Sequence, residues 1–270
     1  MTLLFVLIIA PISAQTVLTI SPVISMQNAY SRLDKNIDTP YFSQAYTWFP
    51  NYSIGLLVDV RIDDKYRLTT GIIHGSFGLN YKITKEYNRE QADTLFPPEP
   101  FPDVTKTESK VSIEDDLVRF PFLIGYKLGH IKFKSPRKQY SPFGISVEGR
   151  AGFSLDYIFQ SPPGFLGGSG FGAYHRDTVS ALRTLNLSLY LGFALQLKHH
   201  NKDRLRAEVF FSQGVRDIGE NNVTYSVLGD PNTYKARVKT RGTVIGLNLS
   251  YPIRIAGFQH KKQGQIINQE

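Results

Sequence analysis

From Leu185 to Lys198 the chain alternates strictly. The odd positions are Leu185, Leu187, Leu189, Leu191, Phe193, Leu195 and Leu197, and the even ones are Asn186, Ser188, Tyr190, Gly192, Ala194, Gln196 and Lys198. A helix would scatter these leucines around its circumference, whereas a β-strand sets them all on one face. The same period of two separates Phe143, Ile145, Val147, Ala151, Phe153, Leu155 and Tyr157 from Gly144, Ser146, Glu148, Arg150, Gly152, Ser154 and Asp156. It returns in Ile245, Leu247, Leu249, Tyr251 and Ile253, and in shorter form at Leu18–Met26, Ile54–Ile62, Val118–Tyr126 and Leu205–Phe211. Between Tyr66 and Tyr81 the apolar parity switches from Leu68 and Ile72 to Ile73, Phe77, Leu79 and Tyr81, which predicts a β-bulge near Ile72. Eight strands are therefore predicted, at 17–28, 53–62, 66–83, 117–128, 143–158, 185–198, 204–214 and 243–254.

The links between these strands alternate in length. Those at 29–52, 84–116, 159–184 and 215–242 are long; those around Asp63-Asp64 and His199–Asp203 are short, and Gly129–Pro142 is intermediate. An up-and-down meander sends odd links to one end and even links to the other. The predicted fold class is thus all-β, an eight-stranded antiparallel up-and-down barrel with long loops at one rim. The 22 Gly, 15 Tyr and 18 Phe beside only 2 Met suit such an architecture. The absence of cysteine excludes a disulfide framework, a thiolate metal site and a cysteine nucleophile.

Two orientations compete. In a soluble lipocalin-like carrier the apolar row points inward and the other row, rich in Lys, Glu and Thr, meets water. Here the other row is Gly, Ser, Ala and Asn, which fits the cramped interior of an eight-stranded barrel. The apolar tracks are also about 9–11 residues long, enough to cross a bilayer at a tilt. The expectation is a transmembrane β-barrel, its leucines in lipid. The inward row then carries charges of both signs, at Asp59, Arg61, Arg119, Lys127, Glu148, Arg150, Asp156, Arg206 and Glu208. Charges are tolerated there only if they pair with one another or meet water, so these residues are expected to form a structural charge network.

The first residues read as an address. Thr2–Ala10 is an apolar run too short to span a bilayer as a helix, followed by Pro11 and the small pair Ser13-Ala14. The layout predicts a signal peptide over 1–14, a barrel over 15–254 and a polar periplasmic tail over 255–270. The predicted location is the outer membrane.

Several strands carry a family resemblance. Val118-Arg119-Phe120-Pro121-Phe122-Leu123-Ile124-Gly125-Tyr126-Lys127-Leu128, Pro142-Phe143-Gly144 to Tyr157, Leu191-Gly192-Phe193 and Arg206-Ala207-Glu208-Val209-Phe210-Phe211-Ser212-Gln213-Gly214-Val215 resemble successive strands of the eight-stranded outer-membrane β-barrel (porin-family) proteins of Bacteroidetes. The resemblance implies an outer-membrane barrel and covers residues 15–254. It includes PorT-like members tied to type IX secretion. Family members usually end at an aromatic residue in the last strand, whereas this chain continues to Glu270.

No residue group asks for catalysis, a cofactor or a metal. His199, His200 and Asp203 lie among Lys198, Lys202 and Arg204, which repel a cation. His175-Arg176-Asp177 lacks a serine at an identifiable spacing. Gly167–Gly172 resembles a phosphate loop but lacks the following Lys-Ser/Thr and is expected to be flexible loop. Residues 84–116 hold nine acids and four bases, 4 − 9 = −5, around the stiff stretch Phe96–Pro102. Lys132, Lys134, Arg137 and Lys138 make the intermediate turn basic. The expected function is structural or recognition work through long extracellular loops, without catalysis. The alternatives are a PorT-like secretion component or a soluble carrier. Expected partners are outer-membrane lipid, the barrel-assembly machinery and an extracellular or periplasmic protein, but not nucleic acid.

Overall fold

The computed structural model describes residues 16–35, 42–44, 51–62, 65–87, 105–134, 140–159, 165–170, 173–181, 184–199, 202–227 and 233–258. Thirteen β-elements follow in chain order. They are β1 (Thr16–Lys35), β2 (Phe42–Gln44), β3 (Asn51–Ile62), β4 (Tyr66–Tyr87), β5 (Thr105–Lys134), β6 (Tyr140–Ile158), β7 (Phe165–Gly170), β8 (Ala173–Ala181), β9 (Leu185–His199), β10 (Lys202–Gly214), β11 (Gly219–Val227), β12 (Thr233–Ser250) and β13 (Ile253–Phe258). Eight of them form a ring, β1-β3-β4-β5-β6-β9-β10-β12, every neighbour antiparallel and β12 returning to β1. These are the eight strands read from the alternation. Closure gives every ring strand a partner on both sides within the ring.

The strands outrun the reading: at the short-turn end β5 runs to Lys134 and β6 begins at Tyr140, so much of the expected intermediate link Gly129–Pro142 is strand, and the excess is greater at the long-link end. There β1 continues to Lys35, β4 to Tyr87, and β5 and β12 begin at Thr105 and Thr233. The long links also contain strands: β11 pairs with the first half of β12, β8 with β11, and β7 with β8. Gly167–Gly170 and His175–Asp177, expected in loop, are therefore strand residues. The Phe96–Pro102 stretch, His200, the proposed signal peptide and the end of the tail lie outside the described residues.

Two further expectations are corrected. No bulge occurs near Ile72, because β4 keeps one register with β3 from Ile62↔Tyr66 to Ser53↔Gly75 and one with β5 along its length. The switch begins at Ile73, an apolar residue in the inward row of β4 that shares its face with Arg67, Thr69 and Gly75. The last strand does not stop at 254. It breaks at Tyr251-Pro252, where proline has no N–H to donate, and resumes as β13, paired with Thr16–Ile20 of β1. The Tyr251 N–H bridges the break by donating to the Pro22 carbonyl, 3.1 Å away.

The faces sort as the composition of the two rows requires. On β9, Leu189, Leu191 and Phe193 are 60%, 59% and 67% exposed, while Ser188 and Ala194 are 0% and 1%. Ile24 and Ile54 point outward like the leucines, and Ser21, Ser25 and Ser53 inward. A band of exposed apolar side chains this continuous is far beyond what a water-soluble monomer displays. Aromatic rings edge it, with Tyr66 against Tyr126 and Phe143 against His199 toward the short turns, and Tyr157 against Phe159 toward the long links.

Candidate functional site: the barrel interior

The inward row is filled in layers. Toward the short turns lies a charge network centred on Asp59, which is fully buried. Arg206 reaches Asp59 from across the barrel, donating to both carboxylate oxygens at 2.7 and 3.3 Å. The hydroxyls of Thr69, Ser21 and Thr19 also donate to it, at 2.6, 3.1 and 3.5 Å. Arg67 and Arg150 stand 3.7 and 4.0 Å from the same carboxylate. Arg67 donates in turn to Glu148 at 2.9 Å and to the Gln196 side-chain oxygen at 2.6 Å. Arg150 donates to Glu208 at 2.6 Å and to the Thr69 hydroxyl at 2.6 Å. Below them Asp203 meets Arg61, with Arg67 and Lys198 at 3.6 and 3.8 Å. Removing such ions from water costs several kcal/mol each, and only mutual pairing offsets it. Five bases (Arg61, Arg67, Arg150, Lys198, Arg206) against four acids (Asp59, Glu148, Asp203, Glu208) leave 5 − 4 = +1.

Glycine makes room for these carboxylates. A Cβ at Gly192 would sit 2.6 Å from a Glu208 carboxylate oxygen, and one at Gly125 would overlap the Glu148 carboxylate. The small inward residues of the sequence are thus seats for large charged neighbours.

Above the network the interior turns apolar. Tyr190 and Phe210 stack with ring centroids 5.3 Å apart and planes 7° from parallel, packed with Leu123, Ala29 and Val244. The Tyr190 hydroxyl joins the layers, donating to Glu208 at 2.8 Å and accepting from the Asn248 amide at 3.1 Å. Beyond the rings sits a second ion pair, Arg119 to Asp156 at 2.8 Å, whose carboxylate also accepts from Ser188 and Ser154 at 2.7 and 3.1 Å. Leu117, Ile158 and Ile218 cover it on the loop side.

Eight of the nine charged residues expected in the interior row join these ion pairs, and the structure divides them. Asp59, Arg61, Glu148, Arg150, Arg206 and Glu208 belong to the lower layer; Arg119 and Asp156 pair in the upper one. Lys127 borders a small recess at the short-turn end with Arg61, Lys65 and Glu148. Arg67 and Asp203 were not anticipated. Arg67 alternates with Tyr66 and Leu68, a signal obscured by the parity switch, and Asp203 lies in the segment whose sequence reads as a short turn. His199 stacks outward on Phe143 while Asp203 points inward, so these two are not brought together. Among the described residues no group of three His, Asp or Glu side chains is placed to hold a metal ion.

A closed antiparallel ring with lipophilic side chains outside and a packed polar interior defines the class: an up-and-down β-barrel of the outer-membrane type. No family model matches the chain, and no curated protein matches it. Among solved structures the chain is similar to the outer membrane protein OprG from Pseudomonas aeruginosa, with 14% identity over 90% of this chain and 97% of that one, and a TM-score of 0.40. It is also similar to the outer membrane protease OmpT from Escherichia coli (12% identity, 89% and 96% coverage, TM-score 0.26) and to the β-domain of the Bordetella autotransporter Brka (9%, 87% and 98%, 0.23).

Proposed function

We propose that the protein is a resident of the outer membrane, inserted through its apolar band, and that the barrel is an anchor and scaffold whose recognition work is done by the long links. The observation that carries this is the pairing of an exposed apolar exterior with an interior occupied by ion pairs and stacked rings. A carrier of apolar molecules needs the opposite arrangement of its two rows. A pore needs an interior free of side chains at some radius, and an eight-stranded barrel is just wide enough for side chains to fill. The long links at one rim and the short turns at the other, the asymmetry of outer-membrane barrels, support placing the long links outside the cell and the chain termini in the periplasm.

The test is fractionation followed by reconstitution. The protein should require detergent for extraction, migrate differently before and after boiling, and leave planar bilayers without steady conductance. Recovery in the soluble fraction without detergent would defeat the membrane reading; a stable open conductance would defeat the scaffold reading alone.

A further inference from the structure

We infer that the loop-side rim at the β1–β12 junction is a binding groove for the phosphate-bearing headgroup of a membrane lipid. The groove, open and about 270 Å³, is lined by Tyr30 and Arg32 of β1, Lys239, Arg241 and Thr243 of β12, and Asp217. Along β12 the outward row runs Leu249, Leu247, Ile245 and then Thr243, Arg241, Lys239. Along β1 it runs Ile24, Met26, Asn28, Tyr30, Arg32. On both strands the cations therefore begin where the apolar band ends, which is headgroup depth if the band lies in a bilayer. The inference rests on that proposed membrane placement.

The backbone is shaped around this groove. The β1–β12 register slips between Tyr30↔Thr243 and Ser31↔Thr240, leaving Arg241 and Gly242 as an unpaired excursion. Gly242 has φ +70°, a left-handed conformation that side chains disfavour, and its N–H donates to the Thr240 hydroxyl at 3.1 Å. A bulge of this kind re-aims a side chain, and here it sets Arg241 on the outer surface, 47% exposed. Three bases against one acid give the lining 3 − 1 = +2. Each base also has a surface partner: Arg241 with Asp217 at 3.1 Å, Arg32 with Asp34 at 3.0 Å, Lys239 with Glu220 at 4.0 Å. The Arg241–Asp217 and Arg32–Asp34 pairs are exposed and contribute little, so a phosphate carrying more than one negative charge displaces Asp217 and Asp34, with the Tyr30 and Thr243 hydroxyls within the same lining to donate to it; Lys239, more buried beside Glu220, adds its charge from the floor of the groove.

The experiment uses the full chain refolded into phosphatidylcholine vesicles with and without lipid A, followed by detergent extraction and mass-spectrometric counting of retained lipid A. The variant Arg32→Gln/Lys239→Gln/Arg241→Gln is compared with Lys202→Gln/Arg204→Gln at the opposite rim. Retention is expected to fall about fivefold for each groove charge removed and to be unchanged in the control; Arg241→Gln alone serves if the triple variant does not refold. Equal retention by wild type and groove variants overturns the inference. Stabilisation by inorganic phosphate equal to that by lipid A assigns the groove to a soluble anion and overturns the lipid assignment. Failure of the wild type to insert into vesicles of either composition is a separate result that removes the membrane reading itself.

Discussion

An arginine scan along the outward row of β9 reads the surroundings of the barrel directly. The row Leu185, Leu187, Leu189, Leu191, Phe193, Leu195, Leu197 has Leu191 at its middle, and every member but Leu197 is well exposed. A rise of ~3.3 Å per residue with a tilt of ~40° moves a side chain ~5 Å along the barrel axis for each step of two residues. Leu185 and Leu197 then lie ~15 Å on either side of Leu191, outside an apolar band ~25 Å tall, while Leu189 and Phe193 lie well within it. Replacement by arginine should therefore cost about 2–4 kcal/mol at Leu191 and about 0–1 kcal/mol at Leu185 and Leu197, with intermediate values between. The assay is urea titration of each variant refolded into lipid vesicles, read by tryptophan fluorescence and by gel migration without boiling. A flat profile, or one with its largest values at the ends of the row, refutes the claim that this face lies in hydrocarbon.

Asp59→Asn, which leaves Arg206, Arg67 and Arg150 without their shared carboxylate, should lower stability by about 3–5 kcal/mol in the same titration. The double variant Asp59→Asn/Arg206→Met should be less destabilised than the two single effects summed; strict additivity would show that the pair is not coupled. Tyr190→Phe removes the hydroxyl shared by Glu208 and Asn248 and should cost about 1–3 kcal/mol without opening a conductance in planar bilayers, because the stacked ring remains. Gly192→Ala places a methyl against the Glu208 carboxylate and should cost about 1–3 kcal/mol by the same refolding measurement.

The ring was legible because lipid and a narrow interior impose opposite requirements on alternate residues, and β9 and β6 satisfy both over their whole length. The alternation shows that Arg119 and Asp156 face inward, but only the register sets them directly opposite each other. The contact between Arg206 and Asp59 spans the barrel, and no spacing along one strand encodes it. Arg67 escaped notice because Ile73 places an apolar side chain in the inward row of β4 and so blurs the contrast between rows. The strands within the long links lie beyond the apolar band, where hydrophobic contrast no longer reports which face is which. The Arg241-Gly242 bulge escaped for a related reason: its signal is one glycine amid polar residues, and only the pairing with β1 shows that two residues have been skipped.

The ladder between β1 and β12 joins Asn28 to Ile245, whereas the other ring ladders link strands that follow one another around the circumference in chain order. Hairpins can assemble as the polypeptide is threaded, but circularisation must wait for both extremities, and it carries a larger loop-closure entropy than any other ladder of the ring. The slow stage of maturation should accordingly be the joining of the first and last ring strands, and a chain shortened before Thr233 would remain an open sheet with two adhesive edges.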